Sequence, residues 1–581
     1  MTSNQELAAL FEEFADYLDA KDVEYKPRAY RRAAENIAES PENVADLAAE
    51  GGTDAIDDID GVGDAIAGKI VEYVETGAIE ELDALREEYP VDMAALTAVE
   101  GVGPKTVGTL YEELGIKTLD DLESAASAGD IQAVKGFGAK TEQNILDGIP
   151  LARQASQRDR LGEARPRGER VVGAFRRHDA VERIELAGSL RRWKETIGDV
   201  DVLVGSDDPQ TVVDDFADWD EADEVIEAGS GKASIRLEGV RVDLRVVAPD
   251  EFGSALQYFT GSKAHNVALR NVAIDRDLKM NEYGVFDVAD VEDPDADQRA
   301  GERVAGTDEE SMYDALDLPL IPPELREDRG EIEAAREGAL PDLVETDAVR
   351  GDLHTHTKWS DGGDTIAEMA AGAAAFGHDY LAVTDHATGP GMVGGVGVPD
   401  EDLREQLEEV RSVASDADIT VFSGVEANIG TDGSISVADD LLADLDCVVA
   451  SPHAGLDGDG TERLLAAIEH PSVNILGHPT GRYINQREGL QVEIEAVAEA
   501  AAAEGVALEV NSNPARLDLG DQLIRAAVDA GATIAVNTDA HRPENFAYVR
   551  YGVHTARRGW AEAADVLNTR DAAGVRSFLE G

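Results

Sequence analysis

The pattern of apolar and polar positions divides the chain into a helical stretch, a mixed stretch and an alternating stretch. Residues 1–150 carry apolar positions at helical spacing. Between about 181 and 247 the pattern changes to the strand-like runs VERIELAGS, DVDVLVG, ASIRLEG and VRVDLRVVA, and a helical region follows to about 280. Residues 287–345 are rich in Asp, Glu and Pro, and the end of this stretch is predicted to be a linker.

Beyond residue 346, seven short apolar runs alternate with alanine-rich helical segments. The runs read RGDLHTH, YLAVTDH, ITVFSGVE, DCVVASPH, VNILGHP, VALEVNS and TIAVNTDAH. Alternation of strands and helices is typical of a parallel α/β architecture. The pattern therefore predicts a parallel barrel for the C-terminal stretch.

One motif recurs three times in the helical stretch, as IDGVG, VEGVG and VKGFG, and each copy precedes a helical run. Its glycine pairs are Gly61 with Gly63, Gly101 with Gly103, and Gly136 with Gly138. Two glycines allow a tight turn into a helix N-terminus, where free backbone N–H groups attract a phosphate. The motif resembles the helix-hairpin-helix, which holds a DNA backbone without reading the bases. The alternative is three turns that only link helices.

The chain is strongly acidic, and this changes how its other features are interpreted. Asp and Glu number 120 against 51 Lys and Arg, a net charge of −69, and only 12 of the basic residues are Lys. Such a surface is typical of proteins from a cytoplasm with molar salt, where the Debye length is about 3 Å and self-repulsion is screened. The alternative is an ordinary acidic enzyme. On the halophilic interpretation, overall acidity does not argue against nucleic-acid binding.

Residues 151–200 reverse this charge locally. They hold 12 Lys and Arg against 8 Asp and Glu, whereas residues 1–150 hold 11 against 34. A basic stretch in so acidic a chain indicates an anionic ligand, although a solvated, arginine-rich helix accounts for part of it.

Length and composition exclude several classes of protein. A chain of 581 residues predicts about three to five domains, which is more than a single binding module. No apolar run approaches the roughly 18 residues of a transmembrane helix, and the acidic, helical N-terminus does not resemble a signal peptide, so we expect a cytoplasmic location. The single cysteine, Cys447, excludes an internal disulfide framework and a thiolate metal cluster.

Three acidic residues form the first candidate site. Asp199 and Asp201 lie two apart on a predicted strand, so both side chains leave one face, and Asp243 lies on a neighbouring strand-like run. Convergent carboxylates suit two Mg²⁺ ions, which take oxygen ligands and stabilise a leaving pyrophosphate. Gly188 and Ser189 precede the pair at a turn suited to holding a phosphate. Taken alone, the Asp-x-Asp pattern also fits a solvated strand edge.

The order of GSLRR, DVDVLV, VRVDLRVV, YFTGSKAHN and LKMNEYGVF resembles the nucleotidyltransferase core of family X DNA polymerases, the family of DNA polymerase β. Together with the helical repeats upstream, the resemblance covers residues 1–320. It implies that Asp199, Asp201 and Asp243 are the catalytic metal ligands. It also implies that the partners are gapped or nicked DNA and deoxynucleoside triphosphates.

The same resemblance implies a set of nucleotide-binding residues. They are Gly188, Ser189, Arg192, Tyr258, Phe259, Gly261, Asn266 and Arg270. Ser189 and Arg192 would hold the triphosphate. Tyr258 and Phe259 would border the sugar, where a bulky wall disfavours a 2′-hydroxyl.

Within this segment the chain differs at two positions from the animal enzyme of this family, DNA polymerase β. Asn266 would reach the minor-groove edge of the incoming base and Arg270 the template side. Lys263, however, stands where an acid is found, and His265 where an aromatic residue is found. Both are expected near the nucleotide, so base selectivity does not follow from the resemblance.

The segments YKPRAYRRAAENIA and GVGDAIAGKIVEYVETG resemble the lyase domain of the same family. Lys69 falls at the position of the lysine that forms a Schiff base and removes a 5′-deoxyribose phosphate. Arg28, Tyr30 and Arg31 are candidates to bind that phosphate. A nucleophilic lysine needs burial or neighbouring cations to favour its neutral form. The alternative is a lysine that contacts phosphate or solvent.

Six histidines and three acids lie at or just beyond the ends of the C-terminal strand-like runs. They are His354, His356, Asp361, His386, Glu426, His453, His478, Asp539 and His541. The ends of parallel barrel strands converge on one face, where barrel enzymes place their chemistry. Imidazole together with carboxylate suits Zn²⁺, Mn²⁺ or Fe²⁺, so the pattern predicts a metal centre.

The order of these nine residues resembles the PHP (polymerase and histidinol phosphatase) domain over residues 346–581. The resemblance implies a distorted sevenfold β/α barrel, up to three Mn²⁺ or Zn²⁺ ions held by all nine residues, and hydrolysis of phosphoesters. Arg482 and Arg487, which follow His478, are candidates to bind the substrate phosphate.

Together the two resemblances predict a monomeric, multidomain DNA polymerase that fills short gaps in DNA repair and carries a 3′–5′ exonuclease. The predicted domains are a lyase-like helix-hairpin-helix domain (1–85), a fingers-like helix-hairpin-helix domain (86–150), an α+β nucleotidyltransferase palm (151–247), a nucleotide-selecting subdomain (248–320), a linker (321–345) and the PHP domain (346–581). Two alternatives stay open. In one, the PHP domain is mainly a 3′-phosphatase or abasic-site nuclease and the polymerase is secondary. In the other, the chain is a non-catalytic scaffold that binds DNA ends.

Overall fold

The structure of the protein is a computed structural model that describes residues 4–21, 23, 26–40, 44–56, 59, 61–99, 101–156, 158–392 and 396–581. It divides into two compact units. The first unit combines residues 1–158 with 250–316, and the second combines residues 159–249 with 317–581. Each unit is considered by itself.

The N-terminal part of the first unit is helical, as its spacing predicted. Its helices are α1 (Asn4–Ala20), α2 (Lys26–Glu39), α3 (Val44–Gly51), α4 (Asp64–Thr76), α5 (Glu80–Glu88), α6 (Met93–Thr97), α7 (Pro104–Leu114), α8 (Leu119–Ala128) and α9 (Ala139–Ser156). Leu7, Phe11 and Phe14 follow helical spacing along one face of α1 and are completely buried. This face packs against α2, where the Tyr30 ring stacks on Phe14 with centroids 4.6 Å apart.

The second unit begins with a five-stranded α+β sheet. The elements of residues 159–249 are β1 (Asp159–Arg160), α10 (Leu161–Phe175), β2 (Arg183–Leu186), α11 (Gly188–Arg191), β3 (Thr196–Ile197), β4 (Val200–Gly205), α12 (Pro209–Ala217), β5 (Glu224–Ala228), β6 (Lys232–Leu237) and β7 (Val240–Val247). The strand order is β2-β4-β7-β6-β5. Strands β4 and β7 are parallel neighbours at its centre. Along β7 buried positions alternate with more exposed ones, whereas β4 is buried at every position but Asp201, which is half-buried.

Residues 250–316 return to the first unit. Their elements are α13 (Phe252–Thr260), α14 (Lys263–Ile274), β8 (Leu278–Asn281), β9 (Gly284–Asp287), β10 (Glu302–Ala305) and α15 (Glu309–Asp314). The three strands form an antiparallel sheet in the order β10-β9-β8.

The segment 321–345, predicted as a linker from its Pro and acidic residues, is packed into the second unit. Arg326 is completely buried and donates to the carbonyl of Ile321, 2.8 Å away. Glu324 and Glu331 are also buried. The segment contains one helix, α16 (Glu331–Glu337). The acidic residues that suggested an exposed connection are satisfied by hydrogen bonds and ion pairs, a pattern that composition alone does not reveal.

The C-terminal part of the second unit contains the predicted seven-stranded parallel sheet. Its elements are β11 (Gly351–Asp352), α17 (Ile366–Phe376), β12 (Tyr380–Val383), α18 (Asp400–Asp416), β13 (Thr420–Asn428), α19 (Asp439–Leu442), β14 (Cys447–Ser451), α20 (Thr461–Ile468), β15 (Ile475–Leu476), α21 (Ile494–Glu504), β16 (Ala507–Asn511), α22 (Asp521–Asp529), β17 (Ile534–Asn537), α23 (Val549–Arg558) and α24 (Ala572–Leu579). The strands pair in chain order from β11 to β17, every neighbour parallel. All seven predicted strands are therefore confirmed.

Among the described residues, no helix is both long enough and apolar enough to span a membrane.

Candidate metal centres and nucleic-acid interface

The carboxylates of Asp199, Asp201 and Asp243 come together at one end of the central strand pair. Asp201 on β4 lies directly opposite Asp243 on β7, and Asp199 immediately precedes β4. Each residue places one oxygen within 4.8 Å of the others. Arg241 donates from Nε to Oδ1 of Asp243 at 2.8 Å. The structure thus brings together the three acids expected from the sequence.

The electrostatics of this cluster favour a cation. Burial, followed by repulsion from the Asp199 and Asp243 carboxylates, raises the pKa of Asp201 to about 7. Charges of Arg192 and Arg245 offset only part of this effect. A divalent ion among the three acids would relieve the repulsion, and an all-oxygen set of ligands suits a hard ion.

Gly188 makes room for the Asp201 carboxylate. Its φ is +59°, in the left-handed region, and a Cβ built there would lie 1.9 Å from Oδ2 of Asp201. Any side chain at this position would therefore displace a candidate metal ligand. Ser189 follows in the single turn of α11, beside the acids as the sequence predicted.

Arg192 is held by an acid that the sequence did not single out. Its side chain is buried, with 11% exposed, and Nε donates to Oε1 of Glu327 at 2.9 Å. The positive charge of Arg192 still reaches the cluster, since it lowers the pKa of Asp201. The hydrogen bond with Glu327 thus holds the guanidinium that is expected to bind a triphosphate.

The other expected nucleotide-binding residues lie in the first unit, around the turn between α13 and α14. Tyr258 and Phe259 are half-buried, with rings 5.1 Å apart and nearly perpendicular. Asn266 closes the turn, donating from Nδ2 to the carbonyls of Tyr258 (2.7 Å) and Gly261 (3.3 Å). Arg270 is exposed on α14. A Cβ at Gly261 would lie 2.4 Å from the Asn266 side chain, so the turn requires glycine.

The two residues that depart from the animal enzyme have different surroundings. Lys263 is exposed at the start of α14. His265 is completely buried, and its Nε2 lies 3.1 Å from the Tyr313 hydroxyl. His265 therefore packs inside this subdomain beside the turn at Gly261, where a Cβ on Gly261 would lie 3.0 Å from the His265 ring.

The three glycine motifs share one backbone geometry. Gly61, Gly101 and Gly136 have φ of +82°, +83° and +103°, and α4, α7 and α9 begin three residues later. A Cβ at Gly63, Gly101, Gly103, Gly136 or Gly138 would meet no heavy atom within 4 Å. Gly61, Gly101 and Gly136 are therefore favoured by their left-handed conformation, and the motifs leave open space at a helix N-terminus, where a backbone phosphate could approach.

Lys69 lies on α4, with a side chain that is 13% exposed and an ammonium 5.3 Å from the centre of the Phe14 ring. It forms an ion pair with Glu81. Schiff-base chemistry uses this amine as the nucleophile, so the ion pair with Glu81 engages the group that would react.

The residues expected to bind the lyase phosphate differ in exposure. Tyr30 is a core residue whose burial raises its pKa to about 12, and its ring stacks on Phe14, whose ring centre lies 5.3 Å from the Lys69 ammonium. Arg31 pairs with Asp16 at 2.6 Å and with Asp19 at 2.7 Å. Arg28 is exposed.

All nine predicted ligands of the C-terminal barrel converge at the carboxyl ends of its strands. Glu426 lies on β13, and the others lie in the loops that follow the strands. Glu426 Oε1 is 3.0 Å from Nε2 of His478 and 3.2 Å from Nε2 of His453. Its Oε2 is 2.5 Å from Nδ1 of His386. Glu426 is thus at the centre of the cluster.

A second part of the cluster forms around Asp539 and Asp361. Asp539 Oδ1 is 3.0 Å from Nε2 of His356 and 3.9 Å from Nε2 of His354. Asp361 Oδ1 is 3.3 Å from Nε2 of His541. Burial opposes ionisation of Glu426 and Asp539, but the imidazoles around them outweigh it and hold both pKa values well below the ordinary range.

Several buried atoms of this cluster make no hydrogen bond of good geometry, although some of them lie within ion-pair distance of one another. They are Nε2 of His354, both ring nitrogens of His356 and His453, Nδ1 of His386 and His478, and Oε2 of Glu426. Buried polar atoms are normally satisfied, and so many orphans at one place indicate a missing ligand. Nitrogen and oxygen donors in this arrangement fit divalent transition metals.

Glu509 is a functional residue that the sequence did not reveal. Its Oε1 lies 2.8 Å from Nδ1 of His354, and its Oε2 accepts from the backbone N–H of His478 at 2.6 Å. A carboxylate on the far nitrogen fixes the tautomer and orientation of a metal-binding imidazole. In the run VALEVNS, Glu509 is a single acid within an apolar strand. An acid inside a buried strand is the one sequence signal that could have pointed to it.

The arginines expected to bind the substrate phosphate have other partners. Arg482 donates to the carbonyls of Arg516 and Leu517, and Arg487 donates to the carbonyl of Gly481. These bonds engage both guanidiniums in the loop that follows His478. Arg516 lies at the cluster instead, with Nε 3.7 Å from Oδ2 of Asp539.

Comparison with known proteins bears on both halves of the chain. Residues 2–79 match the family described as a helix-hairpin-helix domain, and residues 93–149 match the SAM-like helix-hairpin-helix tandem. Residues 255–327 match the DNA polymerase beta thumb, and residues 352–513 match the PHP domain.

Individual relatives cover the whole chain or one half of it. The DNA polymerase/3′-5′ exonuclease PolX of Bacillus subtilis (strain 168) is 33% identical over 584 residues, 99% of each chain. DNA polymerase lambda of Rattus norvegicus is 27% identical over 46% of this chain and 48% of its own length. A protein named as a probable phosphatase, from Shewanella sp. (strain ANA-3), is 32% identical over 33% of this chain and 75% of its own length.

Proposed function

Because the chain belongs to the family X DNA polymerases that join a polymerase β-like core to a C-terminal PHP domain, we propose which residues carry its two activities. The observation that carries the proposal is the presence of two separate clusters of metal-binding side chains. One is all carboxylate, at β4 and β7, and the other is mainly imidazole, at the ends of the barrel strands.

The carboxylate cluster is proposed as the site of DNA synthesis. Asp199, Asp201 and Asp243 would hold two Mg²⁺ ions, which lower the barrier for attack of a primer 3′-hydroxyl on the α-phosphate and stabilise the pyrophosphate. Gly188 leaves the space that Asp201 occupies. Ser189 and Arg192 bind and orient the triphosphate.

Residues of the first unit are proposed to select the nucleotide. Tyr258, Phe259 and the turn at Gly261 border the sugar, Asn266 faces the base edge, and Arg270 contacts the template. Asn266 would then exchange its bonds to backbone carbonyls for bonds to the base. The substrates are gapped or nicked DNA and deoxynucleoside triphosphates, with a monomeric protein as the acting form.

The imidazole cluster is proposed as the site of 3′–5′ degradation. His354, His356, Asp361, His386, Glu426, His453, His478, Asp539 and His541 would hold up to three Mn²⁺ or Zn²⁺ ions, which supply an activated water for phosphodiester hydrolysis. Arg516, beside Asp539, binds the scissile phosphate.

The three glycine motifs are proposed to hold the DNA backbone. Their open helix N-termini, at Gly63, Gly103 and Gly138, present backbone N–H groups to phosphates. The domain limits proposed from the sequence are retained except at residues 321–345, which are packed into the second unit.

Lys69 is proposed as the Schiff-base lysine of a 5′-deoxyribose-phosphate lyase. Its largely buried ammonium supports the role, and its ion pair with Glu81 must open before the amine reacts. Borohydride trapping on a DNA that carries a 5′-deoxyribose phosphate tests it. Lys69→Ala should abolish the trapped adduct, and Lys26→Ala, at an exposed lysine, should retain it.

One gapped duplex with a labelled primer distinguishes the candidate functions of the chain. The proposal expects primer extension with nucleotides and shortening of the 3′ end without them. A second function is favoured by the likeness of the barrel to a protein named as a probable phosphatase. A primer ending in a 3′-phosphate would then lose phosphate faster than an ordinary primer loses nucleotides. A scaffold would leave both primers unchanged.

A further inference from the structure

The backbone and side chain of Arg192 are held by residues that lie 135 and 366 positions further along the chain. Glu327 and Arg558 make these contacts, and Asp521 completes the group. We refer to Arg192, Glu327, Arg558 and Asp521 as the Arg192 clamp. All four residues belong to the second unit.

The bonds of the Arg192 clamp connect helix α23 of the barrel with the palm, directly and through Glu327. The Arg558 guanidinium donates to the Arg192 carbonyl at 2.7 Å, to Oε1 of Glu327 at 3.1 Å and to Oδ2 of Asp521 at 2.6 Å. Glu327 then accepts from Nε of Arg192 at 2.9 Å. A single carboxylate oxygen thus joins an arginine of helix α23 to an arginine beside the candidate polymerase acids.

Burial makes these contacts stronger than surface ion pairs. The side chains of Arg558 and Glu327 are 4% and 9% exposed. Burial opposes the charge of Glu327, but Arg192, Arg558 and Lys194 outweigh it and lower its pKa. A buried carboxylate between two guanidiniums is held by charge-assisted bonds, which resist displacement.

The residue after Arg192 is fixed by the same helix. Trp193 has φ of +55°, and its ring stacks on His554 of α23 with centroids 3.6 Å apart and planes 7° from parallel. The Arg165 guanidinium lies 3.3 Å from the Trp193 ring on the palm side. Contacts with helix α23 thus help to fix the backbone at residues 192–193, and the contact with Glu327, which α23 holds through Arg558, fixes the guanidinium of Arg192.

We propose that Glu327 and Arg558 are positioning residues for DNA synthesis, which act through Arg192 on the triphosphate of the incoming nucleotide. The proposal rests on the proposed function of Arg192. A bond at Nε fixes the plane of the guanidinium, and a prearranged arginine loses less side-chain entropy when it binds phosphate. The C-terminal barrel thereby contributes to nucleotide affinity, in addition to its own metal cluster.

Gap-filling kinetics with a single gapped duplex test the proposal. Glu327→Gln keeps the shape of the side chain and removes its charge. We expect the KM for the nucleotide to rise about tenfold, as for loss of a charged hydrogen bond, with kcat changed less than about twofold. Arg558→Lys, which keeps a charge but lacks the planar fork whose two ends make these bonds, should also raise the KM. The 3′–5′ exonuclease rate of both variants should equal that of the parent.

Glu169→Gln is the matched control. Glu169 on α10 accepts from Arg550 of α23 at 3.1 Å, so it joins the palm to the same barrel helix without touching Arg192. Its KM for the nucleotide should stay at the parent value. The proposal would be overturned if Glu169→Gln raised the KM for the nucleotide as much as Glu327→Gln does. It would also be overturned if Glu327→Gln lowered the melting temperature and the exonuclease activity together, because either result would show a general structural role.

Arg192→Gln, alone and combined with Glu327→Gln, separates this proposal from the proposed function. If Glu327 acts through Arg192, the double variant has the same KM as Arg192→Gln alone. Multiplication of the two effects would overturn the positioning role and leave the function of Arg192 intact. An unchanged KM in Arg192→Gln would overturn the proposed function of Arg192 itself, and the positioning role with it.

Discussion

Asp201 and Asp243 lie directly opposite each other on the parallel strands β4 and β7, with Asp199 completing a cluster of three carboxylates. Parallel register places two acids from distant parts of the chain on the same face of the sheet. Burial, followed by repulsion from the other two carboxylates, raises the pKa of Asp201 to about 7, and a bound cation would favour its ionised form.

Asp201→Ala should abolish nucleotide addition and leave duplex binding nearly unchanged. The acid holds metal, whereas the glycine motifs and arginines contact DNA, so the two functions depend on different residues. Primer extension and an equilibrium binding assay on one gapped duplex would measure both. Asp207→Ala, at an exposed acid beyond the end of β4, is the control and should retain full extension.

Gly188→Ala should lower gap filling at least 100-fold, because the new methyl group would overlap the Asp201 carboxylate and because φ is +59°. Steady-state kinetics would measure the loss. Gly173→Ala is the control. Gly173 lies in helix α10, where an added Cβ would meet no atom within 4 Å, so this variant should retain activity. Normal synthesis by the Gly188 variant would show that Asp201 does not need its present position.

Glu509→Gln should weaken metal binding by the barrel about 10- to 100-fold, because the amide cannot support His354 as a carboxylate does. Titration of metal-stripped protein with Mn²⁺ would measure the affinity directly. Glu499→Gln, on the exposed face of α21, should leave it unchanged. Equal affinities for the two variants would show that Glu509 only supports the strand.

The net charge of −69 predicts that salt stabilises the protein. Repulsion between carboxylates is unscreened in dilute buffer, so the melting temperature should fall by roughly 10 °C or more between molar KCl and 0.1 M KCl. Thermal unfolding followed by circular dichroism would measure it. A melting temperature that is constant over this range would contradict the halophilic interpretation.

The sequence was sufficient for features that follow a local period. The seven barrel strands and their nine candidate ligands could be found because each ligand lies on or directly after an apolar run. Asp201 and Asp243 could be found because strand alternation places them on one face.

Features that depend on distant contacts could not be found in this way. Glu509 resembles any acid in a strand, and its role appears only where β16 approaches His354. Glu327 and Arg558 lie 231 residues apart and meet only in the folded protein. His265 and Tyr30 stand in motif-like segments, yet the core encloses both, because motif position does not determine which way a side chain faces.

The most direct test of the account is one experiment on separate active sites, with His354→Ala combined with His356→Ala. These residues hold the imidazole cluster of the barrel and lie outside the carboxylate cluster and the Arg192 clamp. His470→Ala, at a histidine paired with Asp439 away from the cluster, is the control. Both activities are assayed on one gapped duplex, in Mg²⁺ alone and with added Mn²⁺.

The account predicts that the double variant loses 3′–5′ degradation and fills gaps at the parent rate, and that Asp201→Ala shows the reverse. Degradation that survives the double substitution would place the exonuclease elsewhere in the chain. Loss of gap filling together with degradation would show that the barrel cluster and the polymerase site are not independent, and would contradict the assignment of two separate metal centres.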